Sequence, residues 1–384
     1  MQALSSSLLT RTAITSVFAS FGAAVGVLAG SMPSVMRNAG LDAETVGVGL
    51  TASTVMTVTA MSVGGVIARH ASNRAVLLAI LPCFSVALMA YLTAASPLWF
   101  FVAFLPMGFC FGLTDLFMNA EAVALEHDLR RPVFTAFHGA VSLGVAVMAI
   151  ASSFVSTLIG TWATGLLIML GFAVAWILVW RAIPSRALPK GSAARLRTLP
   201  HKSMLVLLGV AAGLIIAAET AALLWSAKLL DELAPSLAAI AGLGAAFFGV
   251  CNAAVRFPGD RLRALFGDLP LMIVSLVVAI AGFASLGVTD SFAASVAAFA
   301  AVGLGLSLLI PCIFAMAARF VPEGRAGALS FVSLLTAVPR CGAPVLFGFL
   351  AAGYGTGLAF GLVAVVLSVA LGLIVVLQRS TRTV

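Results

Sequence analysis

Charge is what this sequence has least of. Only 9% of its 384 residues are Asp, Glu, Lys or Arg, against 62% hydrophobic, and the mean hydropathy is +1.17. That balance excludes a soluble enzyme domain, a nucleic-acid binder and a disordered scaffold, because each needs far more polar surface to face water. Cysteine is also sparse: Cys83, Cys110, Cys251, Cys312 and Cys341 stand singly in apolar runs, with no CxxC pair. They read as small packing residues, so neither a disulfide frame nor a metal site is expected. Neither GxSxG nor HExxH occurs, and His138 is the one histidine inside an apolar run. No nucleophile therefore has a base beside it, and neither an enzyme nor a cofactor is expected.

What the sequence does contain is a succession of apolar runs, and a membrane-crossing helix takes about 20 such residues. Interruptions by charge, Pro or Gly give six runs in the first half, at roughly 12–36, 45–68, 75–95, 98–124, 133–158 and 161–180. Six more follow at roughly 203–229, 236–257, 269–288, 292–318, 326–350 and 354–377. The expected fold is an all-α membrane protein of twelve transmembrane helices in two pseudo-symmetric six-helix bundles, residues 1–182 and 203–384, joined by a basic linker at 183–202. The first run is longer than the apolar core of a secretory signal and reads as a retained span.

The basic residues are unevenly distributed. With the amino terminus inside, eighteen of the 21 Lys and Arg residues fall in cytoplasmic segments, six of them between Arg181 and Lys202. Only Arg37 and Lys228 fall outside, and Arg340 lies within a span. The pI near 9.9 is thus a topology signal, since loops rich in Lys and Arg stay cytoplasmic, and the linker is expected to rest on anionic headgroups of membrane lipid.

The two halves repeat weakly at an offset of about 193–195 residues, as the halves of many transporters do. The loop after span 8, Gly259, Asp260, Arg261, Leu262 and Arg263, resembles the signature gate loop of the major facilitator superfamily, in which a Gly, an Asp and following basic residues clamp helix ends. Its counterpart after span 2 keeps Gly65, Ala68 and Arg74 but has Arg69 in place of the family's Asp and Ser72 in place of its second Gly. Asp115 to Ala120, Phe137 to Gly139, and Glu219 with Trp225 and Ser226 are similar to a poorly characterised bacterial inner-membrane branch of that superfamily. The resemblance covers essentially the whole chain. It implies a monomeric secondary transporter working by alternating access, with both termini cytoplasmic and the third helix of each triplet facing lipid.

Ionisable groups at membrane depth are costly and mark cavities or partners. Here they are Asp115, Glu121, His138, Glu219 and Arg340, carried by spans 4, 5, 7 and 11, whereas spans 3, 6, 9 and 12 have none inside. Glu121 and His138 lie eight and seven residues from the turn between spans 4 and 5, each about 11 Å deep, with Asn119 close by. They can trade a proton or simply fasten the two helices. Asp115, deeper, is a further candidate for coupling to H+. Glu219 and Arg340 both fall about 23 Å from their cytoplasmic helix ends, the level at which secondary transporters bind substrate. They form either an ion pair or a substrate site, to which Trp225 and Asn252 are the candidate further contributors. Pro106 and Pro311 are expected to break spans 4 and 10.

No Gln lies in any span short of Gln378, and Asn119 and Asn252 are the membrane asparagines, so a sugar has few neutral groups to meet. One fixed guanidinium in an apolar pocket suits a small organic acid or amphipathic anion. The alternative is a proton-driven multidrug or hydrophobic-compound exporter using Phe, Met and Trp225. A reporter fused after Val384 that matures only outside the cytoplasm should stay inactive; activity there would overturn the inside orientation of the termini.

Overall fold

A backbone in hydrocarbon has only itself to satisfy its N–H and C=O groups, so each apolar run closes into a helix. The computed structural model describes residues 2–129, 133–185, 201–321 and 325–382. The first half consists of α1 (Gln2–Ala39), α2 (Ala43–Ile67), α3 (Asn73–Leu92), α4 (Pro97–Leu129), α5 (Phe134–Leu158) and α6 (Thr161–Ala182). The second consists of α7 (Lys202–Leu233), α8 (Leu243–Arg256), α9 (Gly259–Phe266), α10 (Asp268–Val288), α11 (Phe292–Leu306), α12 (Leu309–Phe320), α13 (Arg325–Tyr354) and α14 (Thr356–Arg382). Twelve helical segments are long and apolar enough to cross a membrane, with bounds within a few residues of those expected.

Two features of the second half depart from the sequence pattern. Span 8 opens with a 3-10 turn, Pro235–Ile240, before α8, and the gate loop after it is itself helical, as α9. Proline also acts differently from expectation. The α4 helix runs unbroken through Pro106, while span 10 parts at Ser307 and Leu308, so that Pro311 falls in the first turn of α12, where its missing N–H costs no hydrogen bond. Three helix starts are capped by short polar side chains. Asp42 accepts from Thr45 N at 2.7 Å, which holds its carboxyl below the usual range, and Ser72 and Ser291 do the same for α3 and α11.

Several of the close helix approaches within the first half fall where glycine removes the side chain. A Cβ on Gly22, Gly26 or Gly30 of α1 would run into the backbone of Val141, Val145 or Ala149 on α5, and one on Gly108 or Gly112 of α4 would strike α2 at Ser53 or Thr57. None of α3, α6, α10 and α14 packs substantially across to the other half; the halves meet through α2 on α13, α5 on α8 and α1 on α7. The four spans without ionisable interiors are therefore the peripheral ones.

An even number of crossings returns the end of α14 to the face where α1 begins, here called the terminal face; the loops after α1, α3 and α5 lie on the far face. All four hydrogen bonds that link the halves among the described residues lie toward the far face. Arg37 pairs with Asp231 at 2.6 Å, Val345 N donates to Thr51 Oγ1 at 3.0 Å, and Ser153 donates to Ala238 O and accepts from Gly242 N.

Overpacking costs about 1–3 kcal/mol. Gly22→Ala, which pushes a methyl into the Val141 carbonyl, should lower the thermal unfolding midpoint of the purified protein by several degrees. Gly353→Ala, whose methyl would meet nothing within 4 Å, should not. Equal midpoints would mean that α1 and α5 are less tightly apposed than described.

Candidate functional site

Between the halves lies a cavity of about 190 Å³ whose walls come from α1, α2 and α4 on one side and α7 and α13 on the other. Arg340 supplies its one cation, and Phe104, Met107 and Phe111 of α4 its largest apolar surfaces. Among the described residues Arg340 has no hydrogen bond and no carboxylate within 4 Å. Asp115 is steadied by Asn119, whose amide donates to the Asp115 carboxylate and to its backbone carbonyl, both at 2.8 Å. Arg340 lines the cavity, whereas Asp115 lies one helical turn beyond the lining residue Phe111 on α4, and the two do not close into a salt bridge.

The polar groups around them are hydroxyls that sequence reasoning missed. Ser53, Thr54, Thr57 and Thr220 all line the cavity. Thr54 donates to Leu50 O, Thr57 to Ser53 O and Gly108 O, and Thr220 to Ile216 O, so these three hydroxyls have spent their protons on helix carbonyls and are left as acceptors. The signal was present: Thr51, Thr54 and Thr57 recur every three residues, which puts them on one face of α2.

Of the two alternatives for Glu219 and Arg340, the ion pair does not form. Glu219 Oε1 instead meets Arg256 Nη2 at 3.4 Å, while Arg256 Nε donates to Ser307 O at the break in span 10. The reason is rotational phase. Thr220 faces the cavity, and its neighbour Glu219 is turned about 100° away around α7, toward α8. Arg256 stands at the end of the apolar run 236–257, and its long side chain spans from Glu219 of α7 to the break in span 10.

Nor does the structure bring Glu121 to His138. Helices α4 and α5 are consecutive but pack on different partners, α4 on α2 and α3, and α5 on α1 and α8. Glu121 is buried and accepts from Asn73 Nδ2 at 2.9 Å, whereas the His138 ring lies against Phe18 and Phe134, at 5.4 and 4.8 Å between centroids. Trp225 is fully buried against Phe347 in a separate crevice between α7, α13 and α14, away from Arg340. Asn252 is buried on α8, with its amide nitrogen lacking a protein partner among the described residues.

The gate loop is also rearranged relative to expectation. Gly259 is buried beneath Leu308, but Asp260 and Arg261 are exposed, and Asp260 reaches only Arg263, at 3.3 Å. The clamping acid is Asp268, at the start of α10, which takes Arg263 Nε at 2.7 Å and also Arg319 of α12. In the first half the same corner holds Asn73, at the start of α3, donating to Glu121 of α4. The two clamps are pseudo-symmetric, with donor and acceptor exchanged. Arg130, Arg131 and linker residues 186–200 lie outside the described residues.

The chain is similar to an uncharacterised MFS-type transporter of Yersinia pestis, at 26% identity over 88% of this chain and 87% of the relative. It is similar to the membrane protein MosC of Rhizobium meliloti at 26% identity over 91% and 86%. No family model matches it. Its fold superposes on the nucleoside transporter NupG with a TM-score of 0.74, over 97% of this chain and 99% of that one at 14% identity. A D-xylose-proton symporter gives 0.76, over 96% of each chain at 16% identity. Relatives and fold agree over nearly the whole length: the chain has the many-helix membrane fold of the major facilitator transporters and is similar in sequence to proteins described as of that type.

Proposed function

We propose that the protein is a proton-coupled secondary transporter that moves a small organic acid or amphipathic anion across the bacterial cytoplasmic membrane by alternating access. The observation that carries this reading is Arg340: a guanidinium in the central cavity, with no carboxylate within 4 Å among the described residues. A carboxylate substrate supplies what it lacks. Three of the four hydroxyls beside it, on Thr54, Thr57 and Thr220, can accept but not readily donate, which disfavours a sugar ligand and suits an acid that carries its own N–H or O–H donor.

Asp115 is the coupling residue in this reading. While the cavity is empty its carboxylate balances Arg340 across the gap; when a substrate anion takes the guanidinium, a proton on Asp115 removes the leftover negative charge. The empty and the fully loaded cavity can then close between the halves, whereas anion without proton, or proton without anion, would trap an uncompensated charge. The solved D-xylose-proton symporter is compatible with H+ as the coupling ion. The positive-inside bias makes the terminal face cytoplasmic, so the four far-face bonds between the halves correspond to a state closed on the outside. Glu219, paired with Arg256 beside the break in span 10, becomes a helix-fastening residue. A hydrophobic-compound exporter would use Phe104, Met107 and Phe111, but Arg340 opposes the cations such proteins would recognise there.

In proteoliposomes with an imposed pH gradient, uptake of a panel of labelled organic acids tests this. Arg340→Lys, which loses the bidentate fork, should weaken binding about tenfold, and Arg340→Ala should abolish it. Asp115→Asn should leave exchange intact while accumulation against a gradient is lost. Wild-type uptake by Arg340→Ala would sink the anion reading, and gradient-driven accumulation by Asp115→Asn would remove Asp115 from the coupling path.

A further inference from the structure

A second space adjoins the central cavity. The crevice between α7, α13 and α14 has a volume of about 370 Å³ and an almost wholly apolar wall. Small residues hollow it out: Ala217, Ala218 and Ala221 on α7, and Gly342 and Ala343 on α13. Its rim is on the lipid side, where Val338 is 80% and Leu346 57% exposed. Two features join it to the cavity. Thr220 lines both spaces, and on α13 Pro339 faces the crevice while the next residue, Arg340, faces the cavity.

We propose that this crevice receives the alkyl tail of a single-chain carboxylate whose headgroup sits at Arg340. The substrate class is then a medium-chain alkanoate or a similar one-tailed acid, an inference that rests on the reading of Arg340 as the anion's seat. The chemistry of the walls fixes the orientation. The one hydroxyl in the crevice, Thr220, donates to Ile216 O, so nothing there can hold a charged end, whereas Arg340 lies one residue along α13. A two-chain phospholipid fits worse, because its headgroup belongs at the membrane surface and Arg340 lies about 23 Å along its helix from Arg325. Continuity with the cavity therefore favours a tail reaching sideways from a carboxylate held at mid-depth.

The test uses the full-length protein in phosphatidylcholine nanodiscs, with binding of butyrate, hexanoate and octanoate measured against free ligand and empty discs subtracted. Each methylene that enters the crevice should tighten binding about fourfold. Gly342→Leu fills the crevice without disturbing the fold, since a Cβ at Gly342 meets nothing within 4 Å and Leu favours the helix. It should flatten the chain-length dependence. If butyrate binds but the wild-type series is flat, the crevice holds ordinary annular lipid, and the proposal fails while the anion reading of Arg340 stands. A steep series that Gly342→Leu does not alter places the tail elsewhere and also overturns it. If not even butyrate binds in an Arg340-dependent way, the underlying reading falls and takes this inference with it.

Discussion

A charge at membrane depth must have a partner or reach water, and this constraint orders the rest of the structure. Glu219 meets it with Arg256, Asp268 with Arg263 and Arg319, and Glu121 with an amide from Asn73. Each of these contacts joins two helices of the same half, so they hold each bundle rigid without tying it to the other. The Arg340 and Asp115 pair is different in kind: its members belong to opposite halves and stop short of contact. A complete salt bridge there would pin the halves together in one state, and no charge at all would leave the cavity indifferent to substrate.

Close backbone approach complements those ionic contacts. Glycines on α1 and α4 bring α5 and α2 to within contact of their backbones, and Gly213 on α7 leaves room for the ring of Pro339. That last contact seats α13 against α7 and thereby sets which of its residues face the cavity and which the crevice. Across the halves the contacts are fewer and concentrated toward the far face, where Arg37 reaches Asp231 and Ser153 bridges to the turn before α8. Rigid halves with a small breakable interface are the mechanical requirement for one bundle to rock against the other around a fixed site.

Length and hydropathy made the twelve spans legible, and the distribution of ionisable residues identified the peripheral helices, because both depend on composition along one helix. Partners were not legible, because they depend on rotational phase and on which helices become neighbours. Glu219 and Arg340 were matched by depth, but a shift of one residue around α7 turns the acid away and presents Thr220 instead. Glu121 and His138 were matched through a hairpin whose two helices pack elsewhere. The acid of the second-half clamp was sought at Asp260, where the loop motif places it, but the buried one is Asp268, which had looked like the mere boundary of an apolar run. Sequence depth locates a charge along the membrane normal and says nothing of its azimuth.

Azimuth is also what gives α13 its importance. Pro339, Arg340 and Gly342 occupy successive directions around one turn, so a single helix presents an apolar face to the crevice and a guanidinium to the cavity. Motion of this helix against α2, with which it shares the Val345 to Thr51 hydrogen bond, would change both spaces together. Any ligand that touches Arg340 thus acts on the same element that carries the far-face contact. The guanidinium of the cavity and a contact between the halves are carried by the backbone of one helix, with no longer chain of interactions between them.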